Sequence, residues 1–390
     1  MMMLGCMGRT AILMLALFGM GWWLGEPAVS RAEEPDYPQI TGPCNCHFPK
    51  DHGPHPDYKT EWWYYTGNLK SVDGRRFGFQ LTFFRSRVLP PGAEASWPDP
   101  KSAWRAPQVI LAHAALTDID GKRFLHAEEM ARAALGMAGA SQEPAMGAVD
   151  IFVKDWRVRI TPETHELRAA ADDFGLDLDA LPERPPVLHG DAGYSLKGST
   201  PERSSCYYSF TRLKTTGDII LNGEALPVTG ESWMDHEFSS APLEPGIAGW
   251  DWWSIQLENG SDLMIYLLRK SDGTFHPASG GTLVDARGKA VHLGADDIHA
   301  EATGSWKSPH SGAVYPEGWK IFIHPKGGDK ELSLSIAPNL QDQEMRTPGT
   351  TGVTYWEGSI SVEGSMNGAP VKGVGYMELT GYEKAFDAPM

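Results

Sequence analysis

The chain has 390 residues, 41% hydrophobic and 22% charged, with a formal net charge of -16. This is globular composition, and the length suits roughly two or three domains, each able to bury a core. Lys+Arg number 34 against 50 Asp+Glu with no basic run, which argues against nucleic acid and anionic membranes as partners. Gly 43 and Pro 29 indicate many turns, and 14 Trp are more than a core needs.

Arg9 precedes an apolar stretch from Ala11 to Gly25, followed by Ser30-Arg31-Ala32. That is the order of a secretory signal peptide. The stretch falls short of the ~20 apolar residues of a spanning helix. Residues 1–32 are therefore expected to be cleaved after Ala32, leaving a periplasmic or secreted chain with an N-terminal segment 33–54. An exported protein can keep a disulfide. Cys44 and Cys46 flank one residue and would strain to bridge each other, so one of them is expected to pair with Cys206. Which one stays open.

From residue 62 onward the chain reads as strands. Residues 62–69 and 76–84 are aromatic and apolar, and Asp73-Gly74 between them suits a tight hairpin turn. Asp120-Gly121, Asn222-Gly223 and Asn259-Gly260 repeat the signal. Residues 150–160, 331–336 and 358–362 alternate in character. Only 128–136 reads as a helix: it is Ala-rich, has no β-branched residue and ends in Gly. Strands with turns every ~8–12 residues predict an all-β fold of barrels or sandwiches. The Pro-rich tract 181–200 reads as a linker or a long loop.

A weak repeat divides the chain. Glu61-Trp62-Trp63 opens a hairpin that closes with Phe83-Phe84-Arg85; Asp251-Trp252-Trp253 opens one that closes with Leu267-Leu268-Arg269. This predicts one barrel design used twice, with a Trp closing each floor and an Arg stacked on it. The boundary is expected near 235–245, giving domains 55–238 and 239–390.

No Gly-Xaa-Ser-Xaa-Gly elbow, phosphate loop, dinucleotide fingerprint or His-Glu-Xaa-Xaa-His helix occurs. No cofactor is expected. His47, His52 and His55 are too irregularly spaced to predict a metal site. Two polar-aromatic clusters stand out instead, 55–65 and 233–238 with 250–253. A carboxyl set in an apolar wall tends to hold its proton and can act as a general acid. Aromatic faces can stabilise a cation formed on an apolar substrate. That combination suits protonation of a double bond followed by addition of water. The plainer reading is that these acids accept hydrogen bonds from buried Trp and Tyr. The candidate catalytic residues are Asp235, His236 and Tyr266; the candidate ligand-binding residues are Trp252, Trp250, Phe238, Glu61 and Trp62. In an extended strand, Asp235 and Glu237 share one face and His236 takes the other, so all three do not line one cavity.

The segments HPDYKTEWWYYTG (55–67), QLTFFR (80–85), AHAALTD (112–118), YYSFTRL (207–213), ESWMDHEF (231–238), GWDWWSIQL (249–257), LMIYLLR (263–269), DQE (342–344), YWEG (355–358) and GYMELTGY (375–382) resemble the AttH-like / carotenoid 1,2-hydratase lipocalin family. The resemblance runs from about His55 to Tyr382. It implies two consecutive lipocalin-like, calycin-type β-barrel or sandwich domains. Members include hydratases of carotenoids and plant isoflavonoids and fungal pericyclases. Exported bacterial members are often encoded near transporter permeases, which implies a role in lipid handling or metabolism and an ABC-type permease as partner. Asp235, His236 and Glu237 match an Asp-His-Asn-type turn of the hydratases, and Tyr266 matches a Tyr on a later strand. The chain departs from them at Phe238, where they carry Trp, and at Leu268, where they carry an acid. Two functions follow as expectations: binding of a hydrophobic lipid or terpenoid-like molecule, or a hydratase-type lyase that adds water to an apolar substrate.

Overall fold

A computed structural model describes residues 37–100, 102–143, 147–326 and 331–386. The expected signal peptide lies outside the described residues. Among those described, every regular element is a strand except three short 3-10 turns, and no helix is long and apolar enough to cross a membrane. The first half contains β1 (Thr60–Ser71), β2 (Arg76–Arg87), β3 (Gln108–Asp118), β4 (Arg123–Arg132), β5 (Ala138–Glu143), β6 (Ala148–Val153) and β7 (Trp156–Ile160). It continues with β8 (His165–Ala170), β9 (Phe174–Pro182), β10 (Val187–Leu188), β11 (Tyr194–Leu196), β12 (Ser204–Leu221) and β13 (Glu224–Ser239). The second half contains β14 (Ile247–Leu257), β15 (Asp262–Lys270), β16 (Gly280–Val284), β17 (Ala290–Gly294), β18 (Ile298–Thr303) and β19 (Trp306–Lys307). It ends with β20 (Val314–Tyr315), β21 (Gly318–Ile323), β22 (Leu332–Pro338), β23 (Glu344–Arg346), β24 (Thr354–Met366) and β25 (Ala369–Leu379).

β1 to β13 form one sheet of 13 antiparallel strands in which β1 pairs with β13; β14 pairs with β25 in the 10-stranded second sheet. The period-two alternation of strands turns one face of each sheet inward. The inward face of the first sheet joins Trp63, Phe79 and Phe83 to Val158 and Leu178 in a single core. Leu125 of β4 and Ala138 of β5, from opposite ends of the sheet, pack in that core, so the sheet curls nearly closed. Trp253, Ile265, Trp319 and Ile360 do the same for the second sheet, where Leu293 of β17 and Ile298 of β18 meet. Both barrel interiors are thus filled by side chains. A third cluster, built on Tyr64, Tyr207, Trp233, Trp252, Met264 and Tyr376, lies where the outer faces of the two barrels meet. Gln256 crosses this junction, donating to the carbonyls of Thr211 at 2.8 Å and Ser232 at 3.0 Å.

Four local readings are corrected. Residues 128–136 are not helical: β4 runs to Arg132, and Leu135 and Gly136 then turn with positive φ of 54° and 70°. Ladder pairing with β3 and the inward alternation of Leu125, Ala127 and Ala131 override the Ala-rich local preference. Residues 150–160 are a hairpin, β6 and β7, turned at Lys154 (φ 52°), which brings Trp156 onto the same buried face as Ile151 and Val153. Tract 181–200 is no linker, since β10 and β11 pair with β12. The repeated arginines do not stack on the tryptophans. Arg85 Nε donates to Glu61 at 2.8 Å, while Arg269 lies 3.9 Å over the Tyr382 ring and 3.7 Å from Asp251.

Candidate functional site

Between the barrels lies a cavity of about 440 Å³. Strand parity decides what lines it. Odd-numbered Trp63 and Trp253 point into the barrels, and even-numbered Trp62, Tyr64, Trp250 and Trp252 point into the space between them. Phe84, Leu111, Tyr266 and Leu268 extend the apolar wall.

Of the five carboxyls that line the cavity, three are set among these aromatic side chains. Asp235 Oδ1 accepts the Trp233 indole N–H at 2.6 Å and the Ser209 hydroxyl; Oδ2 accepts the Tyr207 hydroxyl at 2.6 Å. The Tyr207 oxygen in turn accepts the Trp252 indole N–H at 3.1 Å. Burial pushes Asp235 up to about 7 against the pull of those donors. Glu378 accepts the Trp250 indole N–H at 3.0 Å and is raised by burial to about 8. Glu357 accepts the Tyr64 hydroxyl at 2.7 Å, and burial, reinforced by Glu378, holds it well above the usual carboxylate range. A fourth acid, Glu237, is ion-paired with Lys197 at 3.2 Å, and that ammonium lies 4.0 Å over the Tyr266 ring. Tyr266, Trp252 and Glu378 form one row across β15, β14 and β25.

His236 faces the other way. It is fully buried at the end of the first barrel, with its ring 4.8 Å from that of Trp63. Its Nε2 lies 2.8 Å from Glu61 Oε1 and its Nδ1 2.9 Å from the Tyr208 hydroxyl. Glu61 also takes His55 Nδ1 at 2.8 Å and Arg85 Nε at 2.8 Å. Burial alone would raise Glu61; the hydrogen bonds from His236 and His55 and the Arg85 charge outweigh it and hold the carboxyl well below its usual range. An ionised Glu61 requires the proton on His236 Nε2, leaving Nδ1 to accept from Tyr208. Burial lowers His236, keeping it neutral in that tautomer. The ligand atoms of His55, Glu61 and His236 lie within 4.8 Å of one another, as in a metal site. Here both histidines hydrogen-bond to Glu61, and Arg85 supplies the positive charge beside it.

The structure therefore brings Asp235, Tyr266, Trp62, Trp250 and Trp252 to one cavity, with Glu61 at its edge. It separates His236 and Phe238 from them. Phe238 stacks on His55 at 3.7 Å and packs against Ile40 and Cys206. Cys44 and Cys206 are bridged with Cα atoms 6.0 Å apart, and Cys46 is free. Sequence reasoning missed Glu357, Glu378, Tyr64 and Tyr207. Their signal was an acid or Tyr in an aromatic-rich strand; what singles them out is the docking of one barrel on the other.

The AttH-like family model matches residues 39–382, and the chain belongs to that family. A crystal structure described as a candidate AttH from Nitrosomonas europaea is 34% identical; the match covers 88% of this chain and 99% of that one, with a TM-score of 0.75. Kievitone hydratase from Nectria haematococca shares the fold at 14% identity, covering 90% of this chain and 98% of its own, TM-score 0.66. CghA, solved with Sch210972, does so at 13% identity, covering 83% and 89%, TM-score 0.52. No curated protein matches in sequence. The fold is two consecutive lipocalin-like β-barrels.

Proposed function

We propose that the cavity between the barrels takes up a neutral, largely apolar small molecule of lipid or terpenoid-like character. The observation that carries this is the wall itself: Trp62, Trp250, Trp252 and Phe84 dominate it, and its charges cancel. Arg85 and Lys197 are each paired with a carboxylate, and burial favours the protonated forms of Glu357 and Glu378 near neutrality. An anionic ligand would find no free counter-charge. Native mass spectrometry of protein from its own source should show a bound apolar molecule, and Trp252→Ala should lose it. A protein that carries none and displaces no hydrophobic dye overturns the reading.

A second reading, acid-catalysed hydration, is favoured by the row Tyr266–Trp252–Glu378. The hydratases have an acid where this chain has Leu268. Trp250, the ladder partner of Leu268, donates to Glu378, so β25 brings a carboxyl to the same wall. In this reading Glu378 gives its proton to one carbon of a double bond, Trp252 faces the cation left on the other, and water adds there. The proton lost by that water restores the acid. Kievitone hydratase, named for a hydration, shares the fold. Ligand recovered from the protein and returned to it in heavy-oxygen water should acquire the label, and Glu378→Gln should abolish labelling while retaining binding. Equal labelling by both proteins overturns the hydratase reading and leaves the binding reading standing.

A further inference from the structure

The buried side-chain atoms at the junction of the barrels without a hydrogen-bond partner among the described residues include Thr66 Oγ1, Gln80 Oε1 and Glu357 Oε2, and the Tyr376 hydroxyl in the same junction. Thr66 and Gln80 are 1% exposed and Glu357 0%. Register joins Thr66 to Gln80, and the crossing of β24 over β2 brings Glu357 to them. Thr66 stands opposite Gln80 in the β1–β2 ladder. β24 crosses β2 in step with it. At one end, a Cβ added to Gly78 would lie 2.6 Å from Ser359 Cβ. At the other, His113, the ladder partner of Thr82, lies 2.9 Å from the Tyr355 hydroxyl. Alternate residues share a face in both strands. The position midway between Gly78 and Thr82 therefore meets the one midway between Ser359 and Tyr355, and Gln80 faces Glu357. Both residues line the cavity, and Tyr64, the ladder partner of Thr82, donates to Glu357 beside them.

The donors and acceptors then fix what fits. The Gln80 amide nitrogen donates to the Thr82 hydroxyl, so its carbonyl oxygen is the free acceptor. Glu357 Oε1 accepts from Tyr64, so the proton this buried carboxyl retains belongs on Oε2 as a free donor. A free donor facing a free acceptor is completed by one atom that does both, which is a hydroxyl oxygen. A ketone leaves Gln80 unmatched, a carboxylate cannot donate to it, and a hydrocarbon leaves both groups unpaired in an apolar wall.

We propose that Gln80 and Glu357, with Thr66 beside them, are the hydroxyl subsite of the cavity, and that its ligand is a neutral hydrophobe bearing an alcohol. This rests on the cavity binding an apolar molecule at all. Water offers the same chemistry, so the test separates the two sources. Displacement of a hydrophobic fluorescent dye is measured with farnesol, its hydrocarbon analogue farnesene, and farnesoate. Farnesol should bind roughly tenfold tighter than farnesene, the effect of two buried hydrogen bonds, and tighter than farnesoate. Gln80→Leu should erase that preference. Gln80→Met replaces it if the Leu variant melts early. Glu357→Gln, which keeps a neutral donor in place, should retain the preference. Equal affinity for farnesol and farnesene means the subsite holds water alone; the proposal is then overturned and the cavity reading stands. A preference that survives loss of Gln80, or favours farnesoate, overturns it as well. Failure of all three to displace dye overturns the cavity reading itself.

Discussion

Asp235 and His236 are adjacent on β13 and meet opposite environments, and their variants should behave accordingly. Glu61 and Arg85 form a buried ion pair to which neutral His236 adds a hydrogen bond, so Glu61→Gln leaves the guanidinium without its counter-charge. A loss of ~3–5 kcal/mol in denaturant unfolding is expected. His236→Ala removes the acceptor of Tyr208 and a donor to Glu61, for roughly 1–3 kcal/mol. Asp235→Asn at pH 6 replaces a largely protonated group with a neutral one and should cost about 1 kcal/mol. If Asp235→Asn proves as damaging as Glu61→Gln, the carboxyl is ionised in the fold and the acid reading weakens. Strand alternation was enough to set His236 apart from Asp235 in the sequence. It could not find Glu357 or Glu378. Each sits two residues from an aromatic, like many surface acids, and only the approach of the second barrel buries it.

At the scale of elements, turn chemistry was the most legible feature. Asp73-Gly74, Asn222-Gly223 and Asn259-Gly260 each join paired strands, with Gly74, Gly223 and Gly260 at φ of 92°, 81° and 82°, where a Cβ would be strained. What was not legible was pairing across the chain. β4 is a strand because β3 offers it a ladder, and no window of its own residues says so. The N-terminal segment is likewise fixed from a distance. Cys44 joins Cys206 on β12 across 162 residues, and Ile40 packs with Phe238 beside the bridge. Cross-linking so long a loop restricts the unfolded chain, so Cys206→Ser should lower stability by ~2–4 kcal/mol. Cys46→Ser, outside the bridge, should leave it unchanged; unfolding with and without reductant checks both. Equal stability of Cys206→Ser and the parent would show that the segment is held by Ile40 and its neighbours alone.

Over the whole molecule, two sets of buried groups pull stability in opposite directions with pH. Burial raises the cavity carboxyls: Asp235 to about 7, Glu378 to about 8, Glu357 higher than usual. The folded state keeps protons there that the unfolded chain has released. Their contribution is complete below the unfolded carboxyl range and is lost as pH rises to the folded values, so this set lowers stability steadily from about pH 4 to about pH 8. Burial lowers the histidines: His52 to about 4, His113 and His165 to about 3, with His189 and His236 also depressed. The unfolded chain takes up protons on them that the fold refuses, so their contribution is present above about pH 6.5 and lost as pH falls below it. Glu61, depressed by its partners, adds a further loss in stronger acid. Below about pH 6.5 the five depressed histidines outweigh the three raised carboxyls, so the melting temperature should peak near pH 6–7 and decline on both sides. The variants separate the two limbs. Asp235→Asn with Glu378→Gln removes two of the groups that titrate on the alkaline side and leaves every buried histidine in place. That double variant should flatten the decline from pH 7 to 9 and keep the acid limb. An alkaline limb of undiminished slope would mean that these carboxyls are already ionised at neutrality, and the cavity would then be an acidic cleft unsuited to protonating an apolar substrate.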